Sequence, residues 1–348
     1  MIGAGAFGRN HARVFHELEK QGEPVHLAAI VDIEPTRAAA LAKDYEQFGT
    51  KSFVSVKELV QRGEVHAASV AVPTVQHLEV ARALMSAGID VLIEKPIAAT
   101  LAEADELIRL AQQTGRVAQV GHLERFNPAV RATVPIITKP MFFEIHRLSV
   151  FSPRALDVDV VLDLMIHDLD IVLSFTASPV KEVRAVGLPI LSSKVDIANV
   201  RLEFDSGCVA NFTASRVSTE RVRKMRFFQP RQYVSLDYTR QDVLLFTVGE
   251  NDAGDGSQAV EAPGFVPPGL SLPSGLEIRV NKLQTAAEEP LRAELCSFLE
   301  AVRFRTKPVV PLEDGRRALG VALDILAAIR EHGRRIDVDA LHKMVSGS

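Results

Sequence analysis

Three side chains of the sequence could together take a proton from a hydroxyl group and stabilise the charge left behind. Lys95 follows a short apolar run at residues 91–93, and Asp163 and His167 stand four residues apart in a segment of helical period. That spacing places both side chains on one face of a helix. Histidine titrates near neutral pH, an ammonium stabilises an alkoxide, and a carboxylate orients the substrate or an imidazole. The set predicts oxidation of a secondary alcohol, with His167 as the preferred base and Lys95 as the alternative.

Each of these residues also has an ordinary structural interpretation. Lys95 could be a solvated residue that ends a strand, and the helical pair could be a buried histidine bonded to a carboxylate inside a core helix. Asp168 and Asp170 flank His167, and one of them could hold its second ring nitrogen. The chemical interpretation therefore depends on the elements that position these side chains.

The first part of the chain, up to about residue 120, predicts a doubly wound parallel sheet. Short β-branched runs alternate there with longer segments of helical period, which is typical of βαβ units. In such a sheet the ligand crevice lies at the carboxyl ends of the strands, where Lys95 stands. The strands are expected at residues 26–31, 67–72, 91–93 and 117–120, and helices at 75–87 and 101–114, the second opened by Thr100 and ended by Gly115.

After Pro140 the pattern changes to long alternating strands joined by short turns, which predicts a mainly antiparallel sheet. One helix, from about residue 158 to 175, interrupts the strands and carries the aspartate–histidine pair. The strands are expected at residues 141–149, 180–191, 198–204, 208–216, 223–228 and 233–237, and two closing helices at 290–304 and 312–332.

The predicted fold class is α/β, with an N-terminal Rossmann domain at residues 1–121 and a C-terminal α+β domain at 122–348. The second domain would bind substrate and form oligomers, and its C-terminal helix could pack back on the first. The stretch from Gly249 to Gly275, rich in Gly, Pro, Asp and Ser, predicts a long exposed loop. It could be a mobile flap or a partner-binding arm, and we favour an ordered arm at a subunit contact.

A glycine-rich segment at residues 3–8 fits the dinucleotide fingerprint, in which glycines permit a tight turn and close approach of a pyrophosphate to a helix N-terminus. Asp32 ends the next predicted strand, at the separation expected for a carboxylate that accepts hydrogen bonds from ribose hydroxyls. Because it would repel a 2′-phosphate, we predict NAD rather than NADP, with nearby Arg37 as the reservation. A glycine turn and a capping aspartate without ligand are the alternative. The predicted contacts in this segment are Gly3, Gly5, Ala6, Phe7 and Gly8.

Only Met1 and Ile2 precede this fingerprint, although it should follow an apolar strand. A central first strand this short would leave its neighbours poorly paired. We therefore expect the native polypeptide to begin several residues upstream.

Further cofactor contacts are expected around the same crevice. Pro73 and Thr74 form a predicted turn after a strand, and His77 stands one turn into the next helix. For this turn, a cofactor role competes with simple helix initiation by Thr74. Arg125 could reach the cofactor or a substrate phosphate. Glu94 and Lys95 complete the predicted set of cofactor contacts.

Composition excludes several classes of function. A length of 348 residues indicates two domains, and a net charge of −4 gives no general attraction to nucleic acids or anionic membranes. Cys208 and Cys296 lie far apart, without metal-ligand spacing, so we expect buried thiols in a reducing cytoplasm and no metal. No apolar stretch approaches the ~20 residues of a membrane helix. The sequence therefore predicts a cytoplasmic protein that takes a small-molecule substrate.

These motifs resemble the glucose-fructose oxidoreductase, inositol dehydrogenase and rhizopine catabolism (Gfo/Idh/MocA) family of nicotinamide-dependent sugar oxidoreductases. The resemblance covers nearly the whole chain. It implies that Lys95, Asp163 and His167 converge beside the nicotinamide, and that the uncovered face of the second sheet forms a homodimer or homotetramer. It rests on residues 3–8, Asp32, 73–77, 94–96 and 163–167.

Residues 121–129 are similar to the branch of that family that oxidises the 3-hydroxyl of UDP-linked N-acetyl sugars. Asn127 as cap with Pro128 at the first helical position is a strong helix start that needs no substrate to explain it. The resemblance implies NAD-dependent oxidation at C3 of UDP-N-acetylglucosamine or a related UDP-sugar. An inositol or free-sugar dehydrogenase and a nicotinamide-sensing regulator without turnover are the alternatives.

Overall fold

The computed structural model describes residues 1–62, 65–151, 158–250 and 276–335. The chain divides into two compact units, one formed by Met1–Phe126 with Glu288–Gly320 and the other by Asn127–Ala287 with Val321–Ser348. The predicted loop at 249–275 falls outside the described residues, except for its first two residues, which end a strand.

The elements follow the order that the two sequence patterns predict. The helices are α1 (Ala6–Lys20), α2 (Pro35–Lys43), α3 (Val56–Arg62), α4 (His77–Ser86), α5 (Leu101–Thr114), α6 (Pro128–Thr133), α7 (Ile166–Thr176), α8 (Pro290–Phe304) and α9 (Leu312–Arg335). The strands are β1 (Ala29–Val31), β2 (Lys51–Phe53), β3 (Ala67–Val70), β4 (Asp90–Glu94), β5 (Ala118–Gly121), β6 (Phe142–Val150), β7 (Val180–Leu188), β8 (Ile197–Phe204), β9 (Val209–Ser218), β10 (Val222–Gln229), β11 (Gln232–Asp237), β12 (Asp242–Glu250) and β13 (Leu276–Leu283).

In the first unit the strands are parallel, which confirms the Rossmann prediction. β1 pairs with β2, and β3, β4 and β5 pair in that order. Ile2 forms parallel bridges to Val31 and to Val70, so the start of the chain joins the two groups of strands. The Met1 amino group donates to the Ala29 carbonyl at 2.8 Å, and burial lowers its pKa to about 5. An upstream start of the polypeptide stays a prediction.

The helices of this unit follow local sequence signals. Thr100 forms a capping box with Glu103 at the start of α5, and Gly115 ends the helix in the left-handed conformation at φ 63°. α8 and the start of α9 also belong to this unit. Leu295 and Phe298 of α8 share a core cluster with Leu18 of α1.

The second unit is built on an eight-stranded sheet in the order β13-β12-β11-β10-β6-β9-β8-β7. Neighbours are antiparallel except β6 and β9, which run parallel. The mainly antiparallel prediction is confirmed, although β12 and β13 were not predicted, because both border the Gly- and Pro-rich stretch. Alternate residues face a buried side, where the rings of Phe143 and Phe175 pack near Phe227.

The helix that interrupts this sheet differs from the continuous α-helix that the sequence predicts. Val161–Met165 form a π-helical turn, and only then does α7 begin at Ile166. A π turn accommodates one extra residue and is frequent at functional sites. The segment 161–176 is called the candidate catalytic helix below.

Two smaller predictions concern thiols and membrane spans. Cys208 and Cys296 are both free; Cys208 is buried as expected, whereas Cys296 is only half-buried on α8. Among the described residues, every helix is too short or too polar to cross a membrane.

Candidate functional site

The glycine-rich turn before α1 has two tightly packed glycines and one that borders open space. Gly3 has φ 92°, and a Cβ there or at Gly8 would overlap backbone carbonyl groups of Ala71 and Gly3, respectively. A Cβ at Gly5 would meet nothing within 4 Å. Gly3 and Gly8 therefore shape the turn, while the missing side chain at Gly5 keeps the approach to the helix open.

That open approach leads to the N-terminus of α1. Gly5 is the N-cap, with extended backbone and no side chain to bond the first-turn amides. These amides and the helix dipole favour an anion at this point. The turn therefore fits the pyrophosphate of a dinucleotide, with Gly5, Ala6 and Phe7 closest along the chain.

Asp32 follows β1 and is held by two backbone amides. Its carboxylate accepts hydrogen bonds from Ala4 N–H at 2.7 Å and Glu34 N–H at 2.9 Å. The Arg37 guanidinium lies 3.8 Å away and is half exposed. These contacts fix a negative charge at the end of the strand, beside the glycine-rich turn.

Large apolar side chains are exposed at the same ends of the parallel strands. Ile33 follows Asp32, Val54 follows β2, and Val75 follows Thr74. The exposed fractions are 40% for Phe7, 77% for Ile33, 48% for Val54 and 74% for Val75. Exposed apolar groups gathered at one place commonly line a binding surface. Sequence reasoning found only Phe7; the signal for the others was an apolar residue where a polar turn residue is usual.

His77 joins two loops of the crevice. It is 1% exposed, with Nε2 3.0 Å from the Val72 carbonyl and Nδ1 3.0 Å from the Pro96 carbonyl. Burial lowers the pKa of His77 below its ordinary value, against the opposing effect of these carbonyls. His77 therefore ties the Pro73–Thr74 turn to the segment after Lys95. A direct contact with the cofactor stays a prediction for all three turn residues.

Lys95 stands at the carboxyl end of β4, as predicted. It is half-buried, precedes a cis peptide bond to Pro96, and its N–H donates to Glu94 Oε2 at 3.3 Å. Glu94 is buried, with Oε1 3.2 Å from His11 Nε2. Residues 94–96 are called the strand tip below. The structure thus places Glu94 inside the unit, where it positions the tip.

Arg125 lies in a 3-10 turn after β5 and is engaged by a carboxylate. Its guanidinium donates to Asp314 at 3.0 Å, near the start of α9. Because the ion pair is only partly exposed, it holds Arg125 in a defined position. A contact from Arg125 to a phosphate stays a prediction.

The second unit carries Asp163 and His167 on the candidate catalytic helix. Asp163 lies in the π-helical turn and His167 in the first turn of α7, and both are half-buried. Asp168, next to the histidine, forms a buried two-point pair with Arg147 of β6, at 2.6 Å and 2.9 Å. The Arg147 guanidinium also lies 5.0 Å from the centre of the Tyr238 ring. This pair fixes the first turn of α7 against the sheet.

A second arginine holds the preceding end of that helix. Arg216 of β9 pairs with Asp196 at 3.1 Å and donates to the carbonyls of Val158 and Val195. Asp159 in turn accepts the Val195 N–H at 2.9 Å. The chain entering the π-helical turn is thereby tied to the sheet.

Asp196 is fully buried at the centre of this arrangement. Burial by itself raises its pKa, but hydrogen bonds from Leu191 and Ile190 N–H and from Ser192 outweigh burial and lower the pKa below its ordinary value. The group is therefore held as a carboxylate.

Sequence reasoning missed Arg147, Asp196 and Arg216, although the strands contain a signal for the arginines. Arg147 occupies the inward register of β6, two residues after Ile145, and Arg216 occupies that of β9, two after Ala214. A charged residue at a buried position requires a buried partner.

Lys95 belongs to the first unit, and Asp163 and His167 belong to the second. Their convergence stays a prediction.

Comparisons with known proteins agree with these two units. Residues 1–122 match an oxidoreductase family with an NAD-binding Rossmann fold, and residues 143–231 match the GFO/IDH/MocA C-terminal domain. The chain is 34% identical over 330 residues to UDP-N-acetylglucosamine 3-dehydrogenase of Acidithiobacillus ferrooxidans, covering 94% of this chain and 96% of that protein. A solved structure of that enzyme superposes with a TM-score of 0.80, at 33% identity and the same coverage.

Two further relatives share a shorter overlap or a lower identity with this chain. Myo-inositol dehydrogenase Hyg17 of Streptomyces leeuwenhoekii is 34% identical over 197 residues, which cover 54% of this chain and 58% of that protein. The structure of levoglucosan dehydrogenase in complex with NADH shares the fold, with a TM-score of 0.77, 16% identity, and coverage of 95% and 96% of the two chains.

Proposed function

Because the chain belongs to the Gfo/Idh/MocA family of NAD-binding oxidoreductases, we propose that it oxidises the 3-hydroxyl of UDP-N-acetylglucosamine, or of a closely related UDP-sugar, to the ketone. The likeness to the Acidithiobacillus ferrooxidans enzyme carries this proposal, because it extends over 94% of the chain. The helix start at Asn127 is present, with its side chain accepting the Ala129 N–H. The first unit would bind the dinucleotide, and the second would bind the sugar.

NAD fits the crevice of the first unit. The glycine turn and the α1 N-terminus would hold the pyrophosphate, and the fixed carboxylate of Asp32 would accept the ribose hydroxyls. Ile33, Val54 and Val75 would pack against the dinucleotide and lose their exposure to water. When bound there, NAD supplies the acceptor for the hydride that leaves the sugar carbon.

Residues of both units would supply the remaining steps. His167 would take the proton of the hydroxyl as that hydride leaves, and the Lys95 ammonium would stabilise the developing negative charge on oxygen. Asp163 would orient the imidazole or the sugar. The π-helical turn, held by Arg216, and α7, held by Arg147, position the two groups on the helix.

Absorbance of NADH tests the proposal directly. We expect turnover when the protein is mixed with NAD and UDP-N-acetylglucosamine, and at least tenfold lower kcat/KM with myo-inositol or glucose. Turnover of myo-inositol alone would favour the second candidate, an inositol dehydrogenase, which the overlap with Hyg17 supports. NAD binding without turnover of any sugar would favour a sensing regulator.

We also propose a homodimer or homotetramer that works in the cytoplasm, where NAD and nucleotide sugars are available. The less buried face of the large sheet supports the oligomer, because the exposed Phe228 and the half-buried Tyr233 stack there with centroids 4.9 Å apart. Phe228→Glu should reduce the mass measured by light scattering, whereas Phe304→Glu, at a 67% exposed position of the first unit, should not. An unchanged mass for Phe228→Glu would exclude this face.

A further inference from the structure

A buried cluster of His11, Glu94 and Glu294 lies behind the strand tip in the first unit. The three residues come from α1, β4 and α8, and their ligand atoms all lie within 4.8 Å of one another. His11 and Glu294 are 0% exposed, and His11 Nδ1 lies 2.8 Å from Ser69 Oγ. The family comparisons assign no role to this cluster, and the proposed mechanism does not use Glu294.

Glu294 is the unusual member. Within the described residues, neither of its carboxyl oxygens has a hydrogen-bond partner. Its backbone carbonyl accepts the Gln119 side-chain N–H at 3.4 Å, which holds α8 beside β5. Burial, and then the charge of Glu94, raise the pKa of Glu294 well above its ordinary value of 4.5. An ionised carboxylate at this place would be both unsolvated and next to another carboxylate.

A proton on Glu294 removes its charge without any further ion, while Glu94 Oε1 lies 3.2 Å from His11 Nε2. Carboxyl oxygens of Glu294 and Glu94 lie within 4.8 Å of each other, so Glu94 is the carboxyl group nearest to such a proton within this cluster. The strand tip and the turn after β5 add further titratable side chains, which are the buried His122 and Glu124 and the half-buried Lys95 and Arg125.

We propose that Glu294 is held as a neutral carboxylic acid that shares its proton with Glu94, and that this cluster positions the strand tip carrying Lys95. Glu94 transmits the effect, because its Oε2 accepts the Lys95 N–H. Glu294 is therefore a positioning residue, and its effect on turnover rests on the proposed function.

A proton suits the cluster better than a metal ion. Closed zinc sites generally use four protein ligands, and sites with three keep an open position for water or substrate. Here three ligands are buried, with His11 Nε2 and Glu94 Oε1 already 3.2 Å apart. A metal would also require both carboxyl groups to be ionised.

Infrared spectroscopy of the full chain detects the acid without turnover. At neutral pH we expect the carbonyl band of a protonated carboxylic acid in the wild type and in Glu300→Gln, a matched change at an exposed position of α8. The band should be absent in Glu294→Gln. Its persistence in Glu294→Gln, or its absence from the wild type, would overturn the proposal. So would one metal ion per chain, found by elemental analysis, that Glu294→Gln loses.

Thermal melting gives a second readout. A carboxyl group whose pKa is higher in the folded state than in the unfolded state stabilises the folded protein at low pH. This contribution is lost as pH rises above the pKa in the unfolded state. The Tm of Glu294→Gln relative to wild type should therefore increase from about pH 5 to about pH 8. Parallel curves for the two proteins would contradict the proposal.

Kinetics test the link to Lys95. Glu294→Gln mimics the neutral acid and should keep kcat within about twofold, whereas Glu294→Ala should lower kcat on the order of tenfold. An equal loss in both variants would overturn the positioning role. Should no sugar be turned over, the proposed function fails, while the infrared and melting results still decide the state of Glu294.

Discussion

The candidate catalytic helix and the strand tip are both positioned by buried carboxyl groups, but their charges are balanced differently. Beside the helix, Asp168 and Asp196 are each paired with an arginine. Beside the strand tip, Glu94 faces a histidine, and the carboxyl oxygens of Glu294 have no hydrogen-bond partner among the described residues. The first arrangement uses fixed cations, and the second depends on the proton bound to Glu294.

This difference teaches how the two regions should respond to pH. An arginine stays charged over the whole accessible pH range, so its ion pair is lost only when acid protonates the carboxylate. A neutral carboxylic acid responds in the opposite direction, because rising pH removes its proton. The strand tip is therefore expected to be sensitive to base, and the helix to acid.

The largest expected effect comes from changing the groups that would perform the chemistry. Lys95→Met and His167→Asn should each lower kcat about 10³-fold, equivalent to about 4 kcal/mol, because charge stabilisation or proton transfer is lost. If the two regions form one site, the double variant should lose far less than the product of the two factors. NADH formation at saturating substrate measures this, with exposed Lys181→Met as control. If the loss of kcat in the double variant equals the product of the two single losses, Lys95 and His167 do not act in one site.

Removal of one buried arginine beside the candidate catalytic helix should lower the stability of the fold more than the rate of the reaction. Arg147→Leu removes the cation that forms a two-point pair with the buried Asp168 carboxylate, so we expect a loss of about 3–5 kcal/mol in the free energy of unfolding. Arg226→Leu, which breaks the exposed pair with Glu144 on the same sheet, should cost less than about 1 kcal/mol. Chemical denaturation of both variants decides the matter, and similar losses would show that the buried pair has no special role.

Two glycines of the same turn should separate ligand binding from folding. Gly5→Ala meets open space, so its Tm should stay unchanged while NADH affinity, measured by fluorescence titration, falls at least about tenfold, or about 1.4 kcal/mol. Gly8→Ala collides with the Gly3 carbonyl and should destabilise the fold by about 1–3 kcal/mol. Normal NADH binding by Gly5→Ala would place the pyrophosphate elsewhere.

The smallest expected effect is the acid response of the helix region. Because the folded pKa of Asp196 lies below its ordinary value of 3.8, its contribution is present at neutral pH and is lost as pH falls through the folded pKa. The Tm advantage of wild type over Asp196→Asn should shrink in acid, opposite in direction to Glu294→Gln. An advantage that grows in acid would refute the assignment.

Local signals predicted individual elements well. α5 spans Leu101–Thr114 as expected, because a capping box at Thr100 and a left-handed glycine at 115 act through neighbouring residues. β2 was missed because Lys51 and Ser52 are exposed and leave no apolar pattern. The π-helical turn was missed because its segment has the same apolar spacing as an ordinary helix.

The sequence by itself determined the glycine turn, the carboxylate after β1, and the positions of Lys95, Asp163 and His167 on a strand end and a helix. These depend on backbone conformation and side-chain spacing within a few residues. Only the tertiary structure decided which buried carboxyl groups received a cation. Arg147 reaches Asp168 across 21 residues, and Glu294 reaches the first sheet through the packing of α8. Such partners depend on strand register and helix packing, which short-range patterns do not specify.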